Sequence, residues 1–392
     1  MASGTYDVAL TALRVGGRVL FERVARPMAR DLKDVPRSPH AITPEWLTAA
    51  VCGKTPGALV TAVVVEQVSA GTHERHRLRV RYNEAGERAG LPASIFTKSL
   101  PSIVTRMVAG FNGHARIEGR FYSEVRPLLE IEAPACYYST YDKATFAAIH
   151  LLEDLVATKS ATFCGHRTQV SRAMAEDMID LLAALHGRFY GDPAFKERFR
   201  WLADYPRWFR IGAEKMRTER YTSKAFDAAA HVIPGNLMAR RHEVWPATMR
   251  ALAVHDTEPQ AVLHSDVHIG NWYQTGGGRM GLCDWQCPSR GHWSRDFAYA
   301  VSAALTPEDR RRWERDLLER YLERLAARCG ARPDFDRAFR QYRQQLLHAL
   351  AMWTITLCHS PLLPSMQPEA MTLAMIERMA IAIVDLDALD SV

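Results

Sequence analysis

"VLHSDVHIGNWYQTGGGRMGLCDWQ", Val262 to Gln286, places two histidines, two aspartates and an asparagine among β-formers around a run of three glycines. Gly276 to Gly278 can take the positive φ angles of a tight turn, so "NWYQT" and "RMGLCDW" are predicted as the arms of a hairpin. A two-residue turn centred between Gly277 and Gly278 sets Asn271 directly opposite Asp284, roughly 5 Å apart at Cα. An amide oxygen and a carboxylate held side by side can ligate one hard cation such as Mg²⁺.

Upstream, His264-x-Asp266 followed by Asn271 reads H-x-D-x-x-x-x-N. In phosphoryl-transfer loops of that spacing the aspartate accepts the substrate hydroxyl proton and the asparagine holds a metal. H-x-D alone is weak; with Asn271, the glycine hairpin and a second aspartate, Asp284, it is specific. His264 is expected to brace the turn from the core, and His268 to support the loop or approach a phosphate. The competing reading takes His264, Asp266 and His268 as the zinc face of a metallohydrolase. It leaves Asn271, the hairpin and Asp284 without a role.

Around this segment the chain changes character. "ITPEWLTAAV" (42–51) starts a helix, with Thr43 as N-cap and Pro44 in the first position. "ALVTAVVVEQVSAGTHERHRLRVRY" (58–82) reads as two strands joined at "SAGT", and "ASIFTKSL" (93–100) as a third carrying Lys98. "ARIEGRFYSEVRPLL" (115–129) has helical spacing and puts Glu118 on the one prominent helix of this region, before strands in "ACYYST" and "AAIHLLEDLV". From "SRAMAEDMIDLLAALHGRFY" (171–190) helical periodicity dominates to the end, through "DRRRWERDLLERYLERLAARCG" with its terminal glycine and "PEAMTLAMIERMAIAIVDL". This gives an N-terminal helical extension (1–41), a β-rich unit (42–156) and a helical unit (157–392), with the boundary near Glu153 to Lys159. Met352, Trp353, Met366, Met371, Met375 and Met379 are expected in the core; the alternative is an adaptable apolar wall for an acceptor.

The chain has 392 residues, a formal charge of +6 and seven cysteines spread from Cys52 to Cys358. The odd, scattered cysteines imply a reducing, cytoplasmic compartment rather than a disulfide framework, and Cys283 and Cys287 make only a weak zinc pair. Scattered lysines and arginines point away from nucleic acid, and no apolar run is long enough for an integral membrane segment. The basic, partly apolar stretch 8–32 is read as an amphipathic helix packed on the body, with a peripheral membrane helix as the alternative.

"HSDVHIGNWY" with "LCDWQCPSRGHWSRDFAYAV" resembles the aminoglycoside phosphotransferase and choline kinase-like enzymes, relatives of the protein kinases. "CDWQ", "LLEDL" and "EGRFYSEV" look most like the ecdysteroid kinase-like branch, and the resemblance runs from about residue 42 to residue 300. It implies an α+β, bilobal protein kinase-like fold with a small β-rich N-lobe and a larger helical C-lobe. It implies Asp266 as catalytic base, Asn271 and Asp284 as metal ligands, and Asp296 as a brace for the catalytic loop. Asp296 could equally cap the helix it begins. Lys98 resembles the strand lysine that contacts nucleotide phosphates, and Glu118 its helix partner; a surface lysine and a solvated glutamate are the alternatives. Ser69, Gly71 and Thr72 occupy the phosphate-covering turn. Glu153, Asp154 and Leu155 lie in the connector whose backbone contacts the purine. Ser265 stands where the family motif has glycine, which costs on the order of 1 kcal/mol if φ is positive there. The implied cofactors are ATP, with GTP possible, and Mg²⁺. The implied partner is a small-molecule hydroxyl acceptor: a lipophilic, steroid-like alcohol, or alternatively an antibiotic or choline. The protein would be a monomer or homodimer. A non-catalytic nucleotide-binding pseudokinase is the alternative of another class.

Overall fold

In "RHRLRVRY" arginines and apolar residues alternate, the pattern of a strand with one buried face. The computed structural model describes residues 8–69, 74–100, 102–359 and 366–392. There Leu78, Val80 and Tyr82 are buried, while Arg79 and Arg81 are exposed. The chain divides into two units, one of residues 1–128 and 134–160, the other of 129–133 and 161–392.

The first unit opens with helix α1 (Val8–Ala25) and helix α2 (Pro44–Val51), where the Thr43 side chain accepts the Trp46 N–H. Its antiparallel sheet comprises β1 (Val60–Ser69), β2 (Glu74–Tyr82), β3 (Ser94–Ser99), β4 (Cys136–Tyr141) and β5 (Ala148–Glu153), in the order β1-β2-β3-β5-β4. Trp46, Leu47, Leu78, Ile95, Ile149 and Leu151 form one core between α2 and the sheet. Between β2 and β4 lie three helices where one was expected: α3 (Glu84–Arg88), α4 (Ile103–Asn112) and α5 (His114–Arg120). The β-branched residues of α4 hide its periodicity, but Ser102 and Thr105 form a capping box at its start, and Gly113 ends it at φ 72°. Helix α6 (Leu155–Lys159) follows β5 directly.

The second unit is mostly helical, with two three-stranded sheets. One contains β6 (Thr162–Phe163), β9 (Trp272–Gln274) and β10 (Met280–Leu282). The other contains β7 (Ala203–Asp204), β8 (Ala261–Leu263) and β11 (Ser289–Gly291). Helix α7 (Arg172–Arg188) starts on Ser171, whose side chain accepts the Met174 N–H. Five helices lie between residues 205 and 257, and helices Ser294–Ala304, Pro307–Cys329, Phe335–Leu357 and Glu369–Asp385 follow β11, with Gly330 capping the second of these four at φ 74°. Trp353, Met371, Met375 and Met379 are buried, as core packing requires, whereas Met352 is half-buried and Met366 is exposed. None of the seven cysteines forms a disulfide. Among the described residues no helix is long and apolar enough to cross a membrane.

Candidate functional site

Strand β8 runs out of the core into His264, and three features shape the turn that follows. Ser265 adopts φ 70°, a left-handed conformation in which a side chain is strained. Asp296, on the first turn of helix Ser294–Ala304, receives the loop: its Oδ2 accepts the His264 N–H (2.7 Å) and its Oδ1 the Ser265 N–H (3.1 Å). The Ser265 and Ser289 hydroxyls share a hydrogen bond of 2.7 Å, tying the turn to β11. That bond is one a glycine could not make. A net gain of about 1 kcal/mol from it is comparable to the strain of the left-handed backbone.

Asp296 is fully buried. Burial alone would raise its pKa, but the His186 contact (Nε2 to Oδ2, 3.5 Å) and the Arg295 guanidinium (3.2 Å) outweigh it and hold the carboxyl below its ordinary value. Arg295 lies over the Tyr205 ring at 4.4 Å, and His186 Nδ1 shares a hydrogen bond with the Tyr321 hydroxyl. The carboxylate thus binds loop amides from another segment rather than capping its own helix.

His264 is also fully used. Its Nδ1 accepts the Asp266 N–H (3.2 Å), which leaves Nε2 as the donor to the Cys283 carbonyl (3.0 Å). Burial depresses its pKa, outweighing the nearby carboxylates of Asp296, Asp266 and Asp284, so the ring is neutral. With both nitrogens engaged it has no lone pair for a metal, which removes the metallohydrolase reading. Among the described residues no three His, Cys, Asp or Glu side chains gather into a metal-binding group. His268 caps the turn Ile269–Asn271 by accepting the Gly270 N–H at Nδ1, and its Nε2 lies 3.8 Å from Asp266 Oδ2.

Asp266 is held from two sides. The Asn271 Nδ2 donates to the Asp266 carbonyl (2.7 Å) and to its Oδ2 (3.3 Å), while the Tyr299 hydroxyl donates to Oδ1 (3.3 Å). Burial first, and the Asp266 charge second, push the Tyr299 pKa well up, so it stays a donor. Tyr299 was not singled out in the sequence. It lies three residues after Asp296 on one helix, so both reach the same loop; a polar pair at that spacing on an otherwise apolar helix was the available signal.

The hairpin departs from its expected register. Strands β9 and β10 pair Trp272 with Leu282, Tyr273 with Gly281 and Gln274 with Met280, and the Cys283 N–H bonds the Asn271 carbonyl (2.9 Å). Asn271 therefore opposes Cys283, not Asp284. The turn has three residues, with Thr275 N–H bonded to the Arg279 carbonyl, and only Gly278 of the three glycines takes positive φ (84°). That is a β-turn, with the Gly278 N–H bonded to the Thr275 carbonyl, closed by a left-handed glycine, and its odd length shifts the register by one. At Asp284 the backbone itself turns left-handed (φ 66°) and leaves the strand. Since the Asn271 amide nitrogen is engaged with Asp266, its Oδ1 is the atom left for a cation. An amide oxygen and a carboxylate are the ligand types a hard ion such as Mg²⁺ takes, and Asp284 stands one residue beyond the position opposite Asn271.

The first unit holds the other expected group. Lys98 Nζ on β3 contacts both Glu118 carboxylate oxygens at 2.8 Å, and both residues are buried (3% and 0% exposed). Neither is a surface charge. Glycine makes the approach possible: a Cβ on Gly119 would sit 2.6 Å from Ser139 Oγ on β4. Ser139 in turn bonds His150 Nδ1 (2.7 Å), and His150 Nε2 lies 3.9 Å from Glu118 Oε2. In the connector, Asp154 accepts from Arg77 Nε (2.6 Å) and Ser94 Oγ (2.6 Å) and caps α6, of which Leu155 is the first residue. The Glu153 N–H bonds the Ala135 carbonyl, and its carboxylate receives the Ala135 N–H and the Thr158 hydroxyl. Both carboxylates therefore hold the connector itself. Of the turn Ser69–Thr72, β1 ends at Ser69, and Gly71 and Thr72 lie outside the described residues.

Three solved structures resemble the chain at low identity. An aminoglycoside phosphotransferase of Streptomyces rimosus, solved with ADP and streptomycin, is 19% identical, over 74% of this chain and 92% of that one, at a TM-score of 0.38. A macrolide 2'-phosphotransferase of Brachybacterium faecium is 14% identical, over 77% and 87%, at 0.45. An ethanolamine kinase of Plasmodium vivax is 10% identical, over 83% and 81%, at 0.45. No curated protein sequence matches. The family rests instead on a sequence profile that aligns with residues 110–348, more than half the chain and a span that includes Glu118, Asp266, Asn271, Asp284 and Asp296. By that match the chain belongs to the phosphotransferase enzyme family.

Proposed function

We propose that this protein is an ATP- and Mg²⁺-dependent kinase that transfers the γ-phosphoryl group to a hydroxyl of a lipophilic, steroid-sized alcohol. The observation that carries it is the setting of Asp266. Its two carboxylate oxygens are oriented by the Asn271 amide and the Tyr299 hydroxyl, and the side chain keeps about a quarter of its surface exposed (26%). An acceptor hydroxyl approaching it gives its proton to the carboxylate as the new O–P bond forms and the bond from the γ-phosphorus to the bridging oxygen breaks. Asn271 and Asp284 would hold the divalent ion, which when bound neutralises charge on the triphosphate. Lys98, kept in place by Glu118, would steady the donor phosphates, and the connector Glu153–Leu155 would meet the base through its backbone.

The lipophilic acceptor rests on the likeness of "CDWQ", "LLEDL" and "EGRFYSEV" to the ecdysteroid kinase-like branch. Seven cysteines outside disulfides fit a cytoplasmic protein.

The test is an ADP-release screen with Mg·ATP against sterols, other lipophilic alcohols, aminoglycosides, macrolides and choline. Turnover of a lipophilic alcohol, reduced by at least about a hundredfold in Asp266→Asn with nucleotide affinity retained, is the expected result. Turnover confined to antibiotics or choline overturns the acceptor class, and undiminished turnover in Asp266→Asn removes the residue from the base role.

A further inference from the structure

Helix α1 is docked by one face only. Thr11, Val15, Val19 and Glu22 are buried; Val15 and Val19 pack on Phe146, and Glu22 pairs with the buried Arg106 at 2.6 Å. The opposite face is apolar and open to solvent. Leu10, Leu13, Leu20, Phe21 and Val24 are 51–77% exposed and recur at helical spacing, with Gly17 between them facing open space. Ile103 of α4, 41% exposed, lies against the helix beside Gly16 and extends the patch. At 100° per residue, Arg14 and Arg18 fall along one margin of this apolar arc and Arg23 along the other, and Arg26 and Arg30 continue the charge past the helix end. From residue 8 to residue 30 the single acidic residue is Glu22, which pairs with the buried Arg106 and also with Arg18 (2.8 Å), leaving Arg14 and Arg23 as the rim cations; Asp31 and Asp34 follow Arg30.

A soluble helix ordinarily exposes its polar face, and large exposed apolar patches mark contact surfaces. Here the exposed stripe is bordered by cations alone, the composition of a helix that lies in a membrane interface. A second copy of the chain fits it poorly, since two such faces would bring arginine rims together. We infer that the outer face of α1 seats the protein on an anionic phospholipid surface, with Leu13, Phe21 and their neighbours in the acyl boundary and Arg14 and Arg23 at the headgroups. The surface shares no residue with Asp266 and its partners, and the inference does not depend on which acceptor they serve.

The test is co-sedimentation of the full chain with phosphatidylcholine vesicles, with and without phosphatidylglycerol. Binding is expected to the anionic vesicles and to weaken with added salt. Leu13→Gln and Phe21→Gln each lower partitioning by roughly tenfold or more, and Arg14→Gln and Arg23→Gln each by roughly fivefold. All four side chains are exposed, so melting temperatures stay at the wild-type value and distinguish lost binding from lost folding. Absence of wild-type binding to anionic vesicles overturns the inference, as does wild-type binding by the Leu13 and Phe21 variants. A dimer seen by light scattering that Leu13→Gln dissociates, with no vesicle binding, overturns it in favour of self-association.

Discussion

Ser265 offers a direct measure of how the loop after β8 is held, because two opposed energies meet on one residue. Its backbone sits at φ 70°, and its hydroxyl bonds that of Ser289 at 2.7 Å with both residues buried. Ser265→Ala keeps the left-handed strain and leaves the Ser289 hydroxyl without this partner, a cost of about 1–3 kcal/mol. Ser265→Gly loses the same bond but relieves the backbone, so it should be about 1 kcal/mol more stable than the alanine variant. In a unit of this size each kcal/mol moves the melting temperature by roughly 2–4 °C. Thermal melts followed by tryptophan fluorescence suit the question, since Trp285 packs on His264 at 4.5 Å. Adding Ser289→Ala completes a double-mutant cycle in which a coupling of about 1 kcal/mol is expected. Equal melting temperatures for the glycine and alanine variants would refute the strain, and a coupling near zero would refute the hydroxyl bond.

Other perturbations follow from the same geometry. Asp296→Asn sets an amide donor among the His264 and Ser265 N–H groups and leaves Arg295 buried without its counter-charge; a loss of about 3–5 kcal/mol is expected by urea denaturation, and less than 1 kcal/mol would mean that the loop is held by other contacts. Gly119→Ala forces helix α5 off β4, where 2.6 Å is too close for a methyl group, so nucleotide affinity should fall as in Lys98→Met; wild-type affinity in Gly119→Ala would show that the Lys98–Glu118 contact tolerates the shift. Acid should destabilise the second unit through its buried neutral histidines. Burial lowers His255 to about 3 and holds His264, His292 and His348 below 6.5 as well. The unfolded chain then binds more protons than the folded one, so stability present above pH 6.5 is lost as pH falls toward about 3. A melting temperature flat between pH 7 and pH 4 would contradict this.

Much of the site was legible as sequence. H-x-D-x4-N, the glycine run and the following aspartate are close together in the chain, and local spacing marks them as one chemical unit. Thr43, Ser171 and Gly330 mark helix ends because caps satisfy backbone groups that local geometry leaves unpaired. Helix α4 was not legible, because its β-branched residues resemble a strand and only its capping box announces it. The hairpin register was not legible either. Three glycines allow turns of more than one length, and a single residue of difference moves Asn271 from Asp284 to Cys283.

By itself the sequence determined which residues are candidates for the chemistry and where most strands and helices lie, because both follow from residue type and short-range periodicity. Only the tertiary structure decided what those residues face: that Ser265 is compensated by Ser289, that Asp266 is oriented by Tyr299, that Asp296 binds two loop amides, and that α1 turns its leucines outward. These contacts join residues remote from one another along the chain, or depend on which face of a helix the core covers. Packing chooses among such partners, and no local pattern encodes that choice.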